Sequence, residues 1–199
     1  KHKLSRQRRM TCIVGLVDKG IVYIGGDSAG VDGSRLTMAV RNDRKVFRNG
    51  EFVMGFTSSF RMGQLLAFSM SLPKPREGDD LFGFMVRDFV GVARQTMKDG
   101  GFARNNSGAE AGGEFLVGFR GRLFQIFDDF QVAESSLPYA ACGCGDLIAL
   151  GSLFSTPNIL DPMERVTEAL SAAATFSAGV RGPFFIEKSD SVSPQVLAA

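Results

Sequence analysis

Two apolar runs near the start of the chain place the strongest constraint on its fold. Residues 12–17 (CIVGLV) and 21–26 (IVYIGG) are separated only by Asp18-Lys19-Gly20. Each run has the length of a strand, and neither alternates between apolar and polar residues, which indicates burial on both faces. The sequence therefore predicts an antiparallel hairpin that is buried on both sides.

The other predicted elements occur in groups. Asn49-Gly50, within RKVFRNGEFVMGF, predicts a second hairpin because Asn-Gly favours tight primed turns. Further strands are predicted in EFLVGFR, in RLFQIFDDF and at 184–186. Helices are predicted after residues 57–59, from Asp79-Asp80, in DLIALGSLF and from Asp161-Pro162. Segregated strands and helices indicate the α+β class. We expect one domain over residues 11–199, in which two antiparallel sheets pack face to face with helices on both outer surfaces, a four-layer αββα sandwich.

The histidine and cysteine content excludes several kinds of site. His2 is the only histidine, so a Ser-His-Asp or Cys-His mechanism has no imidazole available from residue 3 onward. Cys12, Cys142 and Cys144 make an odd number, which argues against a disulfide framework. There is no second cysteine pair to complete a zinc site. We therefore expect neither a metal nor a cofactor.

Basic charge is concentrated in the first nine residues, which hold five of the chain's 23 basic residues and none of its 21 acidic ones. The remaining domain is mildly acidic, so we do not expect a nucleic-acid partner. No apolar run reaches the roughly 18 residues of a membrane span, and no signal-peptide core follows the basic start. These features predict a cytoplasmic protein without membrane contact.

Thr11 lies between Met10 and the first predicted strand, a position that suggests a nucleophile independent of histidine. A free N-terminal threonine carries a hydroxyl and an α-amine, whose pKa of about 7.7–8.0 leaves part of it unprotonated near neutral pH. Its β-branched side chain has few rotamers, which holds the hydroxyl in a preferred orientation. Cys12 would need the removal of Thr11 as well, and we interpret it as a core residue.

The stretch TCIVGLVDKGIVYIGGDSAG resembles the start of proteasome β-subunits and of the bacterial HslV protease, which are N-terminal nucleophile (Ntn) hydrolases. By this resemblance Thr11 is the nucleophile, and Asp27, sixteen residues later, is the aspartate beside it. Lys45, in RKVF, takes the place of the active-site lysine. Gly55, in FVMGF, takes the place of the glycine whose amide forms the oxyanion hole. The resemblance implies the Ntn hydrolase fold.

Charge considerations agree with the lysine and aspartate positions. A lysine near the threonine disfavours protonation of the amine by like charge, and a carboxylate beside that lysine keeps the lysine charged. The segment between Asp27 and Lys45 is slightly longer than is usual in the family. Arg44 is therefore an alternative to Lys45.

The resemblance is less close in the later part of the chain. ACGCG stands where the family has Gly-Ser-Gly, so Cys144 is the counterpart of a serine that hydrogen-bonds near the threonine amine. FSAGVRG stands in place of the family's Asp-x-x-Ser-Gly, which makes Ser177 the counterpart of its aspartate. A thiol is a weaker donor than a hydroxyl, and a serine brings no carboxylate. These changes predict either slow catalysis or an inactive ring subunit.

The function implied by the resemblance is that of a threonine-type hydrolase cleaving amide bonds in peptides or unfolded protein. Its substrate groove would include Ala29, Val31, Val53 and Thr57. The family also implies a homo-oligomeric ring that encloses the sites, with a possible unfolding ATPase as partner. Two alternatives remain open, namely a hydrolase of small amides and a catalytically silent ring subunit.

Residues 1–10 must be absent from the active form, because the proposed mechanism needs a free amine on Thr11. Met10 is either the true initiator, with the preceding residues misassigned to the protein, or the last residue of a propeptide. In the second case self-cleavage between Met10 and Thr11 is expected. Both interpretations predict that the chain as given is a precursor.

Overall fold

The first hairpin forms as predicted, at the centre of a four-stranded sheet. The computed structural model describes residues 10–32, 34–102, 104–106 and 109–191, so the predicted leader, apart from Met10, lies outside the described residues. Strands β1 (Cys12–Asp18) and β2 (Ile21–Gly26) pair antiparallel. β12 (Tyr139–Gly143) pairs with β1, and β13 (Phe185–Lys188) pairs with β2.

The second sheet contains the predicted Asn-Gly hairpin. Its five antiparallel strands are β5 (Val46–Asn49), β6 (Phe52–Phe56), β9 (Phe115–Phe119), β10 (Arg122–Ile126) and β11 (Val132–Glu134). Their order in the sheet is β11-β10-β9-β6-β5. Gly50, at the turn between β5 and β6, has a φ of +55°, a conformation that glycine adopts without strain.

Two short ribbons complete the described strands. They are β3 (Ala29–Asp32) with β4 (Thr37–Val40), and β7 (Arg104–Asn106) with β8 (Ala109–Ala111). The sequence did not predict these ribbons, nor β11 and β12. Such segments are short and rich in small or polar residues, so they lack the apolar pattern of a buried strand, and β12 pairs with the sequence-distant β1.

The predicted helices are present. They are α1 (Phe60–Phe68), α2 (Leu81–Phe84), a π-helical turn (Met85–Phe89), α3 (Val90–Asp99), α4 (Asp146–Ser155) and α5 (Pro162–Phe176). Side chains cap three of them as expected from the sequence. Ser59 accepts from the amide of Arg61, Asp80 from those of Phe82 and Gly83, and Asp161 from those of Met163 and Glu164.

Three apolar clusters separate the layers of the domain. One lies between the five-stranded sheet and the helices α1–α3, and includes Phe52 and Phe89. A second, including Val14 and Leu170, lies between the four-stranded sheet and the helices α4 and α5. The third, including Ile13 and Val53, fills the space between the sheets. The α+β class and the four-layer αββα sandwich are thereby confirmed.

Close contact between the sheets depends on glycines that point inward. A Cβ built on Gly55 would lie 2.6 Å from Cγ2 of Ile13 and 2.7 Å from Cγ2 of Ile24. A Cβ on Gly118 would lie 2.6 Å from Cγ1 of Val22. These neighbours are β-branched and fully buried, so they have little freedom to move aside.

Substitution of Gly55 by alanine is expected to lower the free energy of unfolding by about 1–3 kcal/mol, because the added methyl overpacks the space between the sheets. Chemical denaturation followed by far-UV circular dichroism measures the change. Gly91→Ala in helix α3 is the matched control, since a Cβ built there meets no described atom within 4 Å and alanine favours a helix. Equal stability of the Gly55→Ala variant and the wild type would contradict the packing role.

Candidate active site

The candidate site begins at Thr11, which immediately precedes strand β1 and is buried. The register of the four-stranded sheet places Cys12 opposite Gly143, and the amide of Cys144 donates to the Thr11 carbonyl at 2.8 Å. Gly143 has a φ of +107°, and a Cβ built there would lie 2.1 Å from the Thr11 carbonyl oxygen. The close approach of the two strands at Thr11 therefore requires a glycine at position 143.

Lys45 connects the predicted nucleophile to the predicted aspartate. Its Nζ lies 2.8 Å from Thr11 Oγ1 and 2.8 Å from Asp27 Oδ1. The ion pair is almost completely shielded from solvent, with 1% of the lysine side chain and none of the aspartate side chain exposed. The sequence prediction that Thr11, Asp27 and Lys45 meet is thus matched by the arrangement of these three side chains.

The carboxylate of Asp27 is held by backbone amides as well as by the lysine. Oδ1 accepts from the amide of Cys12 at 3.1 Å. Oδ2 accepts from the amides of Ala29 at 2.9 Å and Arg181 at 3.2 Å. Hydrogen bonds of this kind fix the orientation of the carboxylate. Asp27 therefore ties together the start of β1, the start of β3 and the segment before β13.

Burial and the neighbouring negative charge shift the pKa of Lys45 in opposite directions. Burial lowers the pKa of the lysine ammonium below its usual value, and the adjacent carboxylate of Asp27 opposes this shift. Arg44, the alternative that the sequence left open, points away from the site. Its guanidinium pairs with Glu187 at 3.3 Å and lies over the ring of Phe185. Lys45, and not Arg44, is the cation beside Thr11.

Cys144 and Ser177 lie together, at the side of the site where the chain enters Thr11. Cys144 Sγ is 3.2 Å from Ser177 Oγ. A Cβ built on Gly179 would lie 2.7 Å from Cys144 Sγ and 3.0 Å from Met10 Cβ, so Met10 is a close neighbour of this pair. The two residues that the resemblance assigned to positions near the threonine amine therefore lie close to Met10, the residue that precedes Thr11.

Gly55 and Val53 do not lie where the sequence predicted them, and both assignments are corrected. Gly55 is in the middle of β6, paired with Val46 on one side and Leu116 on the other, so its amide belongs to the sheet. Val53 is fully buried between the two sheets. Neither residue can meet a substrate at Thr11, because both are enclosed by core side chains.

Thr57, Ala29 and Val31 lie in the surroundings of the site. Ala29 and Val31 are in β3, soon after Asp27, and Val31 is only partly buried. Thr57 is buried at the end of β6, and its Oγ1 has no hydrogen-bond partner within the described ranges. Its amide donates to the carbonyl of Glu114 at 3.0 Å.

Ser58 and Phe60 are two residues near the site that the sequence did not indicate. Ser58 is exposed and has a φ of +72°, and its Oγ accepts from the amide of Glu114 at 3.2 Å. Among the residues that the structure describes, no acceptor faces the Ser58 amide. The ring of Phe60 lies 5.7 Å from Lys45 Nζ. A serine with positive φ is visible only in three dimensions, so no sequence pattern could have identified it.

Cys12 is not placed to act as a nucleophile in this arrangement. Its side chain is fully buried. Burial, followed by the charge of Asp27, raises the pKa of the Cys12 thiol and so opposes formation of a thiolate. This agrees with its interpretation as a core residue of the first strand.

Two further features are absent from the described ranges. Within them, no three His, Cys, Asp or Glu side chains are grouped so that they could hold a metal ion. None of the described helices is both long enough and apolar enough to cross a membrane.

The fold is that of the proteasome-like Ntn hydrolases. BPH from Thiobacillus denitrificans, in complex with epoxomicin, superposes with a TM-score of 0.75 and 20% identity over 92% of this chain and 100% of that chain. A second structure of BPH gives a TM-score of 0.75 and 21% identity with the same coverage. HslV from Trypanosoma brucei gives a TM-score of 0.63 and 15% identity over 89% of this chain and 98% of that chain.

These identities are low, so the likeness establishes the fold alone. Comparisons with models of protein families and with curated protein sequences give no match. The chemistry open to this chain therefore depends on its own residues and their geometry.

Replacement of Lys45 by methionine is expected to lower the free energy of unfolding by about 3–5 kcal/mol, because it leaves the buried charge of Asp27 without its cation. Thermal and chemical denaturation measure the effect. Arg48→Met, which breaks the exposed pair with Asp190, is the matched control and should change stability little, because solvent screens that pair. Similar losses of unfolding free energy in both variants would show that the buried Lys45–Asp27 pair stabilises the fold no more than an exposed pair does.

Proposed function

We propose that this protein is a threonine-type Ntn hydrolase that cleaves peptide amide bonds, with Thr11 as nucleophile after removal of residues 1–10. The observation that carries the proposal is the pair of 2.8 Å contacts that Lys45 Nζ makes with Thr11 Oγ1 and Asp27 Oδ1. A buried cation on a threonine hydroxyl favours the alkoxide-like oxygen of an attacking nucleophile.

The mechanism uses the freed amine of Thr11 as its base. Thr11 Oγ attacks the scissile carbonyl carbon while the amine accepts the hydroxyl proton. The positive charge of Lys45 disfavours protonation of that amine beforehand, and Asp27 keeps Lys45 in place. The protonated amine then donates to the leaving nitrogen, and water hydrolyses the ester formed on Thr11.

We assign the oxyanion donor to the amide of Ser58, in place of Gly55. The amides of Phe56 and Thr57 are used by the carbonyls of Lys45 and Glu114, and Ser58 is the next residue along the chain. Its positive φ turns the backbone out of the sheet, and its Oγ is fixed by the Glu114 amide. An N–H held in such a fixed turn can stabilise a developing oxyanion by about 3 kcal/mol.

An extended peptide is the substrate that the surroundings favour. Strand β3 pairs only with β4 among the described strands, so its other edge offers backbone groups to an added strand. Ala29 and Val31 lie on this strand, soon after Asp27. By kinship of fold we further propose a cytoplasmic homo-oligomeric ring that encloses the sites, with unfolded protein as substrate and an unfolding ATPase as a possible partner.

The residues before Thr11 are proposed to be removed by the site itself. Thr11 Oγ1 hydrogen-bonds to the carbonyl oxygen of Met10, so the hydroxyl already lies beside the bond to be broken. Attack on the Met10 carbonyl carbon would transfer the leader to Oγ and free the amine, and water would then cleave the ester. The alternative origin, in which Met10 is the initiator and is removed during normal processing, gives the same mature end.

A catalytically silent ring subunit is the second candidate, and a specific contact favours it. The Cys144–Ser177 pair brings no carboxylate to the amine, so the proton transfers there have weaker support than a serine and aspartate would give. A small-amide hydrolase keeps the same nucleophile and differs only in substrate.

Thr11→Ala is expected to abolish hydrolysis and removal of the leader together, because it removes the attacking oxygen. Protein expressed from the full chain is examined by intact mass, by hydrolysis of casein, peptides and small acyl amides, and by labelling with a covalent inhibitor directed at N-terminal threonine. Thr11→Ser, which keeps a hydroxyl and an amine, is the matched control and should retain part of the activity. Absence of hydrolysis, labelling and leader removal in wild type and Thr11→Ala alike would establish the silent subunit instead.

The pH dependence of kcat/KM is expected to be bell-shaped. Activity should rise as the Thr11 amine loses its proton, and fall again where Lys45 loses its own. Because burial lowers the pKa of Lys45, the alkaline limb should lie below 10.5, the usual value for lysine. In Lys45→Arg the residual activity should lack this limb, since arginine stays protonated. An identical alkaline limb in both proteins would assign it to another group.

A further inference from the structure

Strand β13 lies where the two sheets meet beside the candidate site. Among the described strands, β13 is the edge strand of the four-stranded sheet next to β2, and β5 is an edge strand of the five-stranded sheet. The register of β13 places Phe185 opposite Gly26, the residue before Asp27. The two edge strands are also in contact with each other. β13 therefore adjoins both the strand that leads to Asp27 and the strand that follows Lys45.

The segment that leads into β13 is hydrogen-bonded to the aspartate side of the site. The amide of Arg181 donates to Asp27 Oδ2 at 3.2 Å. The amide of Ser28 donates to the Arg181 carbonyl at 2.8 Å, and the Ser28 hydroxyl donates to the carbonyl of Pro183 at 2.5 Å. The position of Asp27 is therefore coupled to the position of β13.

Arg44 joins the same strand to the lysine side of the site. Its guanidinium lies 3.3 Å from the Glu187 carboxylate and 4.5 Å from the centre of the Phe185 ring. The next residue, Lys45, lies in a bend before β5 and not within the strand. The Lys45 carbonyl accepts from the amide of Phe56 at 3.0 Å, so β6 holds the backbone on the C-terminal side of the lysine. Arg44 provides a corresponding contact on the N-terminal side.

We propose that Arg44 and Glu187 are positioning residues, whose ion pair holds the Lys45 ammonium group between Thr11 and Asp27. A lysine side chain is long and has many rotamers, so its ammonium group stays in one place only if its backbone is fixed. The ion pair is partly exposed, with 53% of the arginine and 28% of the glutamate side chain accessible, and such pairs add little to stability. A small displacement of a group that acts on the reacting oxygen nevertheless slows the chemical step. The effect on catalysis rests on the proposed function, since it needs Thr11 as nucleophile.

Arg44→Met is expected to lower kcat for a fluorogenic peptide by about fivefold, the size of effect that a partly exposed ion pair allows. KM and the denaturation midpoint should stay close to the wild-type values, because the substitution displaces the cation beside Thr11 and not the substrate. Glu187→Met should have the same effect, and the double variant should be no slower than either single one, since all three remove one interaction. Arg48→Met breaks the comparable pair with Asp190 from within β5, and this matched control should keep the wild-type kcat.

Chemical labelling reports the position of Lys45 without any need for catalysis. Acetylation by N-hydroxysuccinimide acetate, followed by peptide mass spectrometry, should be slow at Lys45 in the wild type, where 1% of its side chain is exposed. The reaction should be several-fold faster in Arg44→Met and unchanged in Arg48→Met, with the exposed Lys74 as internal reference. Loss of a neighbouring positive charge would by itself raise the pKa of Lys45 and slow its acetylation. A faster reaction therefore reports displacement of the lysine.

The two measurements separate the positioning role from the proposed function. Unchanged labelling of Lys45 in Arg44→Met would overturn the positioning role, whatever the rates of hydrolysis. In a protein that hydrolyses peptides, an unchanged kcat in Arg44→Met or an equal loss in Arg48→Met would overturn it as well and leave the proposed function standing. Faster labelling in Arg44→Met, where the wild type hydrolyses nothing, would support the hold on Lys45 and reject the proposed function alone.

Discussion

The buried ion pair of Lys45 and Asp27 is the interaction on which the arrangement of the site depends. Two opposite charges removed from water are tolerated only where each is fully hydrogen-bonded. Asp27 meets this condition through three backbone amides besides the lysine, and Lys45 places two of its three N–H donors on Asp27 and the hydroxyl of Thr11. The same contacts that stabilise the pair hold the threonine oxygen beside a cation, so structural and chemical requirements coincide.

The ion pair can exist only because the two sheets lie in close contact around it. Asp27 follows the four-stranded sheet, while Lys45 immediately precedes the first strand of the five-stranded one. Inward-facing glycines such as Gly55 and Gly118 let the backbones of the sheets approach each other. Gly143 acts in a similar way between β12 and the backbone at Thr11. Packing between the layers thus sets the distances at the candidate site.

The side of the site near Cys144 and Ser177 differs from the Lys45 side because its two side chains carry no formal charge. The contact between a thiol and a hydroxyl lies next to Met10 and joins the loop after β12 to the end of α5. A pair without formal charge orients an amine less strongly than a carboxylate does. The well-fixed Lys45 side and the weaker Cys144 side together explain why a hydrolase and a silent subunit are both compatible with the same fold.

Local sequence patterns were sufficient to predict the β1–β2 and β5–β6 hairpins, the helix starts and the layered α+β class. Hydrophobic periodicity, Asn-Gly turns and capping residues act over a few neighbours, which is why Ser59, Asp80 and Asp161 were readable as helix starts. The short strands β3, β4, β11 and β12 were not predicted, because none carries a strong apolar pattern and because the partner of β12, strand β1, is far away in the chain.

The sequence by itself was sufficient to predict a threonine nucleophile, since there is no histidine from residue 3 onward and a threonine stands directly before a buried strand. It also indicated Asp27 and Lys45 by resemblance. Only the tertiary structure decided that Lys45 and not Arg44 faces Thr11. It also placed Gly55 and Val53 in the core. Finally, it showed that Ser58 leaves the sheet with an amide that no described acceptor meets. Which face of a strand is buried, and which amide stays outside the sheet, depends on register and on the contact between sheets, and these are set by residues far apart in the chain.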